Sequence, residues 1–248
     1  MAGHSRWANI KHKKGVADAR RGRLWSKLAR NIIVAARTGG GDPTMNLTLR
    51  YAIEKAKDAN MPADTIEKAI KRGTGELEAV QYSPVTYEGY GPGGVAFIVD
   101  ALTDNPHRTA PEIKKIFEMG GGNMGATNCV GWNFTTKGVF TIGAAGVNED
   151  QLMEAALEAG ADDVVRQEDV FEVTCGPTAF DAVRKGLESK KVPIQQKEIT
   201  KVPGTTVTVD AEVGAKILKL IETFEDHDDV QHVYCNFDMP EEVLAKLS

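Results

Sequence analysis

The sequence predicts an α+β protein: an N-terminal three-helix domain plus two ferredoxin-like α/β domains, the third inserted in the second. Three observations predict it. Apolar residues recur at helical spacing up to Gly73 and at strand spacing from Val85, with a linker from Thr74 to Pro84 between them. Residues 138–201 read as β-α-β-β-α-β, the order of the ferredoxin-like unit. A last helix and strand follow that unit with no sequence neighbour to pair with, so they complete the sheet begun at residue 85. The expected boundaries are 1–75 for the helical domain, 80–132 with 203–248 for the discontinuous α/β domain, and 133–202 for the insertion.

Residues 1–15 have no useful period and read as an arm that orders on contact. Over residues 16–38, Leu24, Trp25, Leu28, Ile32, Ala35 and Ala36 fall on one arc of a helix. Arg20, Arg23, Lys27, Arg30 and Arg37 fall on the opposite arc, and Arg21 lies in the apolar one near the helix start. Gly39-Gly40-Gly41 ends this helix, and Asp42-Pro43 reads as N-cap and N1 of the next. The second helix carries Leu49, Ala52, Ile53 and Ala56 and stops at Asn60-Met61-Pro62. The third carries Ile66, Ala69 and Ile70, with Gly73 as its stop.

Strands over 85–90 and 95–102 flank Gly91-Pro92-Gly93-Gly94, a hairpin signature. Thr109-Ala110-Pro111-Glu112 reads as a capping box for a helix carrying Ile113, Ile116 and Phe117, ended by Gly120-Gly121-Gly122. The inserted unit is expected to have strands at 139–142, 163–166, 170–174 and 194–201, and helices at 149–159 and 177–188. The closing helix spans 211–224 and the closing strand 230–237.

Charge carries the functional signal. The formal net charge is -5, but residues 1–73 hold 16 of the 30 Lys+Arg and only 6 of the 35 Asp+Glu. A basic front joined to an acidic body points to a polyanionic partner. Trp7, Lys11, Lys13, Lys14, Arg20, Arg21, Arg23, Lys27, Arg30 and Arg37 are the expected nucleic-acid-binding residues. An ordinary solvated helix mixes signs at i, i+4 spacing; here Asp18 alone opposes the run. Trp7 either stacks on an unpaired base or folds back onto the helical core.

Other constellations read as structural. Gly89-Tyr90-Gly91-Pro92-Gly93-Gly94 precedes a strand, whereas a phosphate-cradling loop opens a helix. The loop from Thr103 to Thr109 offers Asp104 and His107 for acid–base chemistry, but no nucleophile or metal cluster accompanies it. His232 and Cys235 point to opposite faces of a strand, and Asp226, Asp228 and Asp229 read as a solvated turn. Cys129, Cys175 and Cys235 imply reduced thiols. The expectation is a cytoplasmic non-enzyme with no cofactor, metal or membrane contact, and with homo-oligomerisation through the acidic domains as an option.

Four blocks in order resemble the YebC/PmpR family. They are the opening Met1-Ala2-Gly3-His4-Ser5-Arg6-Trp7-Ala8-Asn9-Ile10-Lys11-His12, residues 52–62 (AIEKAKDANMP), residues 87–94 (YEGYGPGG) and residues 101–105 (ALTDN). The chain departs from the family pattern at Thr127–Trp132 and at Leu47–Leu49, where an additional Arg is expected; this puts one phosphate contact in doubt. The resemblance implies three domains, no catalytic residues, and a regulator of gene expression. Bacterial members are described as DNA-binding transcriptional regulators. A mitochondrial relative acts as a translational activator, so a ribosome- or mRNA-associated role stands beside the DNA one.

Overall fold

The computed structural model describes residues 18–78, 80–167 and 169–239, with side chains from Gly22 onward. The expected N-terminal arm lies outside the described residues. The described chain forms two compact units; the first comprises residues 18–130 and Asp210–Cys235, the second residues 131–209 and 236–239.

Helix α1 (Asp18–Gly39) is the axis of a helical layer completed by α2 (Leu47–Asp58) and α3 (Ala63–Thr74). Leu28, Ile32, Ala35 and Ala36 are buried in the shared core as their spacing predicts. Leu24 departs from prediction, since 41% of it stays exposed. Ile33, outside the predicted arc, is buried because α1 is covered on more than one side. A Cβ at Gly73 would lie 2.6 Å from Ile33 O and 2.7 Å from Ala36 Cβ, so α3 approaches α1 this closely only through glycine.

Two helix ends differ from expectation. Asp42 does not cap α2; it accepts from Thr44 N and Thr44 Oγ1 in a local turn. Asn46 is the N-cap, accepting from Leu49 N at 3.1 Å while its amide donates to Ala35 O and Gly40 O at 2.8 Å. Gly75, at φ 85°, ends α3 in place of Gly73.

Strands β1 (Ser83–Tyr90) and β2 (Ala96–Thr103) form the expected hairpin around Gly93 and Gly94, both at positive φ. Helix α4 (Pro106–Met119) and the short β3 (Asn123–Met124) follow. The capping box at Thr109 does not form. Asn105 caps α4, accepting from Arg108 N at 3.2 Å, and Thr109 is fully buried within the helix.

The chain then builds its second unit from β4 (Phe134–Gly143), α5 (Glu149–Glu158), β5 (Asp163–Gln167), β6 (Val170–Cys175), α6 (Phe180–Ser189) and β7 (Ile194–Pro203). Its sheet is antiparallel in the order β5-β6-β4-β7, the ferredoxin-like arrangement. Phe140 stacks on Phe180 at 4.8 Å in its helix-side core. On the other sheet face Glu172 is buried, and burial pushes its carboxyl up to about 7. β8 (Val207–Thr208) leads back to the first unit.

There α7 (Ala211–Asp226) packs on the first sheet, and β9 (Val230–Cys235) pairs antiparallel with β2, as expected of the orphan elements. β10 (Phe237–Asp238) pairs with β8. The first sheet has the order β3-β1-β2-β9. It opens on a hairpin, so it reaches a two-layer plan by its own strand order. Phe97, Phe117 and Phe224 form its core, with ring centroids 4.7–6.2 Å apart.

Candidate nucleic-acid interface

Three cations of the basic face of α1 meet the end of α7 and the turn after it. Lys27 Nζ donates to Glu225 O at 2.6 Å, and Arg30 Nη1 donates to Asp228 O and lies 3.3 Å from Asp229 Oδ1. Arg23 Nη1 sits 3.4 Å from Asp226 Oδ1, and Asn31 donates to Gln231 at 3.2 Å. Two of these contacts reach backbone carbonyls at or just past the C-terminal end of α7, where unsatisfied acceptors and the negative end of the helix dipole gather. The cations thus finish α7 as much as they pair with acids. Arg30 also lies over the Tyr82 ring, 5.4 Å from its centroid.

Asp229 is the centre of this seam. It is buried, which corrects the expectation of a solvated position here, while Asp226 and Asp228 are exposed as expected. Its Oδ2 accepts from Thr109 Oγ1 at 2.7 Å and from Arg108 Nη2 at 2.8 Å. Thr103 Oγ1 lies 2.7 Å from Thr109 Oγ1 in the same network, and Asn105 N donates to Thr103. Burial works against ionisation of Asp229, but the Thr109 and Arg108 hydrogen bonds and the Arg30 charge outweigh it and hold the carboxyl below its usual range. The same contact raises Arg108. The loop at Asp104–Thr109 is therefore bound into a structural network; among the described residues, no group of three metal-ligating side chains converges.

The ten expected contact residues divide into three sets. Trp7, Lys11, Lys13 and Lys14 lie outside the described residues, and Arg20 and Arg21 fall in α1 with side chains outside the description. Arg23, Lys27 and Arg30 face the Glu225–Asp229 turn. Arg37 is exposed and makes no ion pair with a described residue. The missed partners, Asp226 and Asp229, lie some two hundred positions from the cations. The acidic cluster before a strand was the visible signal for them.

A family description, the TACO1/YebC protein N-terminal domain, matches residues 5–76, and another, the TACO1/YebC second and third domain, matches residues 82–237. The chain belongs to the TACO1/YebC family. A relative from Dictyoglomus turgidum is 55% identical over all of both chains, and one from Geobacter sulfurreducens is 50% identical over all of both. Each carries the name probable transcriptional regulatory protein. A crystal structure of a conserved hypothetical protein from Aquifex aeolicus is 49% identical, with a TM-score of 0.84 over 96% of this chain and 99% of that one. The TACO1/YebC boundary between residues 76 and 82 falls in the link between α3 and β1. No helix among the described residues is long and apolar enough to cross a membrane.

Proposed function

We propose that the protein is an intracellular nucleic-acid-binding regulator of gene expression whose phosphate contacts come from the basic segment ahead of Gly22. One observation carries this reading. With Arg23, Lys27 and Arg30 committed to the α7 turn, residues 1–21 still hold Arg6, Lys11, Lys13, Lys14, Arg20 and Arg21 against Asp18 alone. Such a surplus destabilises a free protein by self-repulsion and is relieved by a polyanion. The name shared by the relatives supports a role in transcription. Binding rather than catalysis suits the site, because Thr109 and Arg108 are spent on Asp229.

A translational role on RNA is the second reading, and the geometry favours it at one point. Residues 40–46 separate α1 from α2, longer than the three- to four-residue turn of a helix-turn-helix, and the cationic face of α1 is occupied. The test is fluorescence anisotropy on labelled nucleic acid over a salt series. Five phosphate contacts give a slope of log K against log salt of roughly -4 to -5. Replacing Lys11, Lys13, Lys14, Arg20 and Arg21 with Ala is expected to flatten that slope and weaken binding on every sequence. Unchanged affinity and slope in the folded variant would refute the assignment.

A further inference from the structure

The second unit keeps both its helices on one face of its sheet. Phe140 of β4 stacks on Phe180 of α6, and a Cβ at Gly186 of α6 would lie 2.5 Å from the Ala159 Cβ at the end of α5. The pairing register assigns Asp163 and Gln167 of β5, Glu172 and Thr174 of β6, and Gln196 and Glu198 of β7 to the other face. That helix-free face is nonetheless buried at its centre, with Glu172 3% exposed and Thr174 1%. Among the described residues, six buried side-chain oxygens lack a hydrogen-bond partner, and four of them gather here: Glu172 Oε2, Thr174 Oγ1, Gln167 Oε1 and Gln196 Oε1. Gln196 Nε2 donates to Glu198 Oε1 at 3.3 Å, which fixes the orientation of its amide. Unpaired buried polar atoms are costly, so a concentration of them marks a surface that a partner meets. Three of the four are carboxylate or amide oxygens and only accept, so that partner is a donor.

We propose that this face docks the chain's own basic N-terminal segment, residues 1–17. That segment holds Arg6, Lys11, Lys13 and Lys14 and no Asp or Glu. Among the described residues, the charged groups of the face are Asp163, Glu172 and Glu198 with Lys137, which lies 3.9 Å from Asp162. Guanidinium and ammonium groups are the donors that its orphaned oxygens require, whereas phosphates only accept and are repelled. Burial pushes the Glu172 carboxyl up, so its ionisation is unfavourable until a cation stands beside it. Seventeen extended residues reach up to roughly 55–60 Å, about twice the width of a domain of this size. The covalent tether also gives this occupant a high local concentration, which a free basic peptide lacks. Four cations against three carboxylates and Lys137 leave the segment's charge only partly offset, so a polyanion can displace it. Docking thereby withholds the segment from phosphates until a polyanion competes, a consequence that rests on the nucleic-acid reading above.

The experiment uses the full chain without nucleic acid. Carbodiimide joins a lysine amine to a carboxylate in direct contact, and it is expected to link Lys11, Lys13 or Lys14 to Asp163, Glu172 or Glu198 within one chain. Trypsin cleavage after Arg6, Lys11, Lys13 and Lys14 is followed by mass spectrometry at pH 8. It is expected to run about tenfold faster in a Glu172→Gln/Glu198→Gln variant than in wild type, for the loss of charge-assisted hydrogen bonds. Both substitutions keep the side-chain size, and circular dichroism checks the fold. A folded variant cleaved at the wild-type rate would overturn the docking. Links from the segment to other carboxylates only would overturn it too. So would links that join two copies in a mixture of isotope-labelled and unlabelled protein, which would seat a second chain on the face. A protein that binds no nucleic acid would overturn the reading above, while cleavage and cross-links still decide the docking.

Discussion

Replacing Asp229 with alanine removes the one carboxylate that Arg30, Arg108 and Thr109 share. The cost is set by what is left behind. The Arg30 side chain is only 18% exposed, so its charge loses a buried partner, for which about 3–5 kcal/mol is typical. Asp228 O and the Tyr82 ring still hold it, which places the loss toward the lower end. Arg108 is 46% exposed and rehydrates, adding little. In the variant Thr109 turns its proton to Asn105 O, 3.2 Å away, so its loss is about 1 kcal/mol. The sum is about 4 kcal/mol, or a urea midpoint lowered by roughly 2 M for a domain of this size. Because the folded carboxyl titrates below its ordinary value of 3.8, its contribution is complete above that pH and disappears as pH falls through the folded pKa. The gap between wild type and Asp229→Ala should therefore close in acid. Urea unfolding followed by circular dichroism at pH 7 and pH 3 measures both effects. A variant within about 0.5 kcal/mol of wild type at pH 7 would show that the seam does not hold the helical layer as described.

Three further perturbations test separate elements. Glu172→Gln should stabilise the inserted unit by about 2–3 kcal/mol above pH 7: the wild-type carboxyl, raised from 4.5 to about 7, costs stability as pH rises through that window, so a gap that persists below pH 4.5 would contradict this. Gly73→Ala should destabilise by about 1–2 kcal/mol, overpacking against Ile33 O and Ala36 outweighing the gain in helix propensity; a more stable variant in thermal unfolding would refute the close α1–α3 approach. Asn46→Ala should cost about 2 kcal/mol, since it removes the α2 cap and two donated bonds, whereas Asp42→Ala should leave stability nearly unchanged; the reverse order in urea unfolding would restore Asp42 as the cap.

The elements with clean periodicity were legible in the residues. The inserted βαββαβ unit and the return of β9 to β2 follow from strand and helix periods and from the need to pair orphan elements. Helix ends were less legible, because two plausible caps stood within a few residues of each other. Asp42 and Asn46 both suit an N-cap by type, and only packing decides that Asn46, reaching Ala35 O, takes the role. Thr109 looked like a cap for the same reason, until Asn105 proved to hold that place and Asp229 to need the hydroxyl. The basic face of α1 was read correctly as a face, but not what it meets. Amphipathicity fixes which side of a helix is charged and is silent on whether water, phosphate or a distant acidic turn lies against it.

The most direct measurement is the salt dependence of nucleic-acid affinity for an Arg23→Ala/Lys27→Ala double variant, taken beside its urea midpoint. Cations that clamp α7 leave the slope at its wild-type value and lower the midpoint. A slope reduced by about 2 with the midpoint unmoved would mean that these residues meet phosphates after all, and that the seam is not where they act.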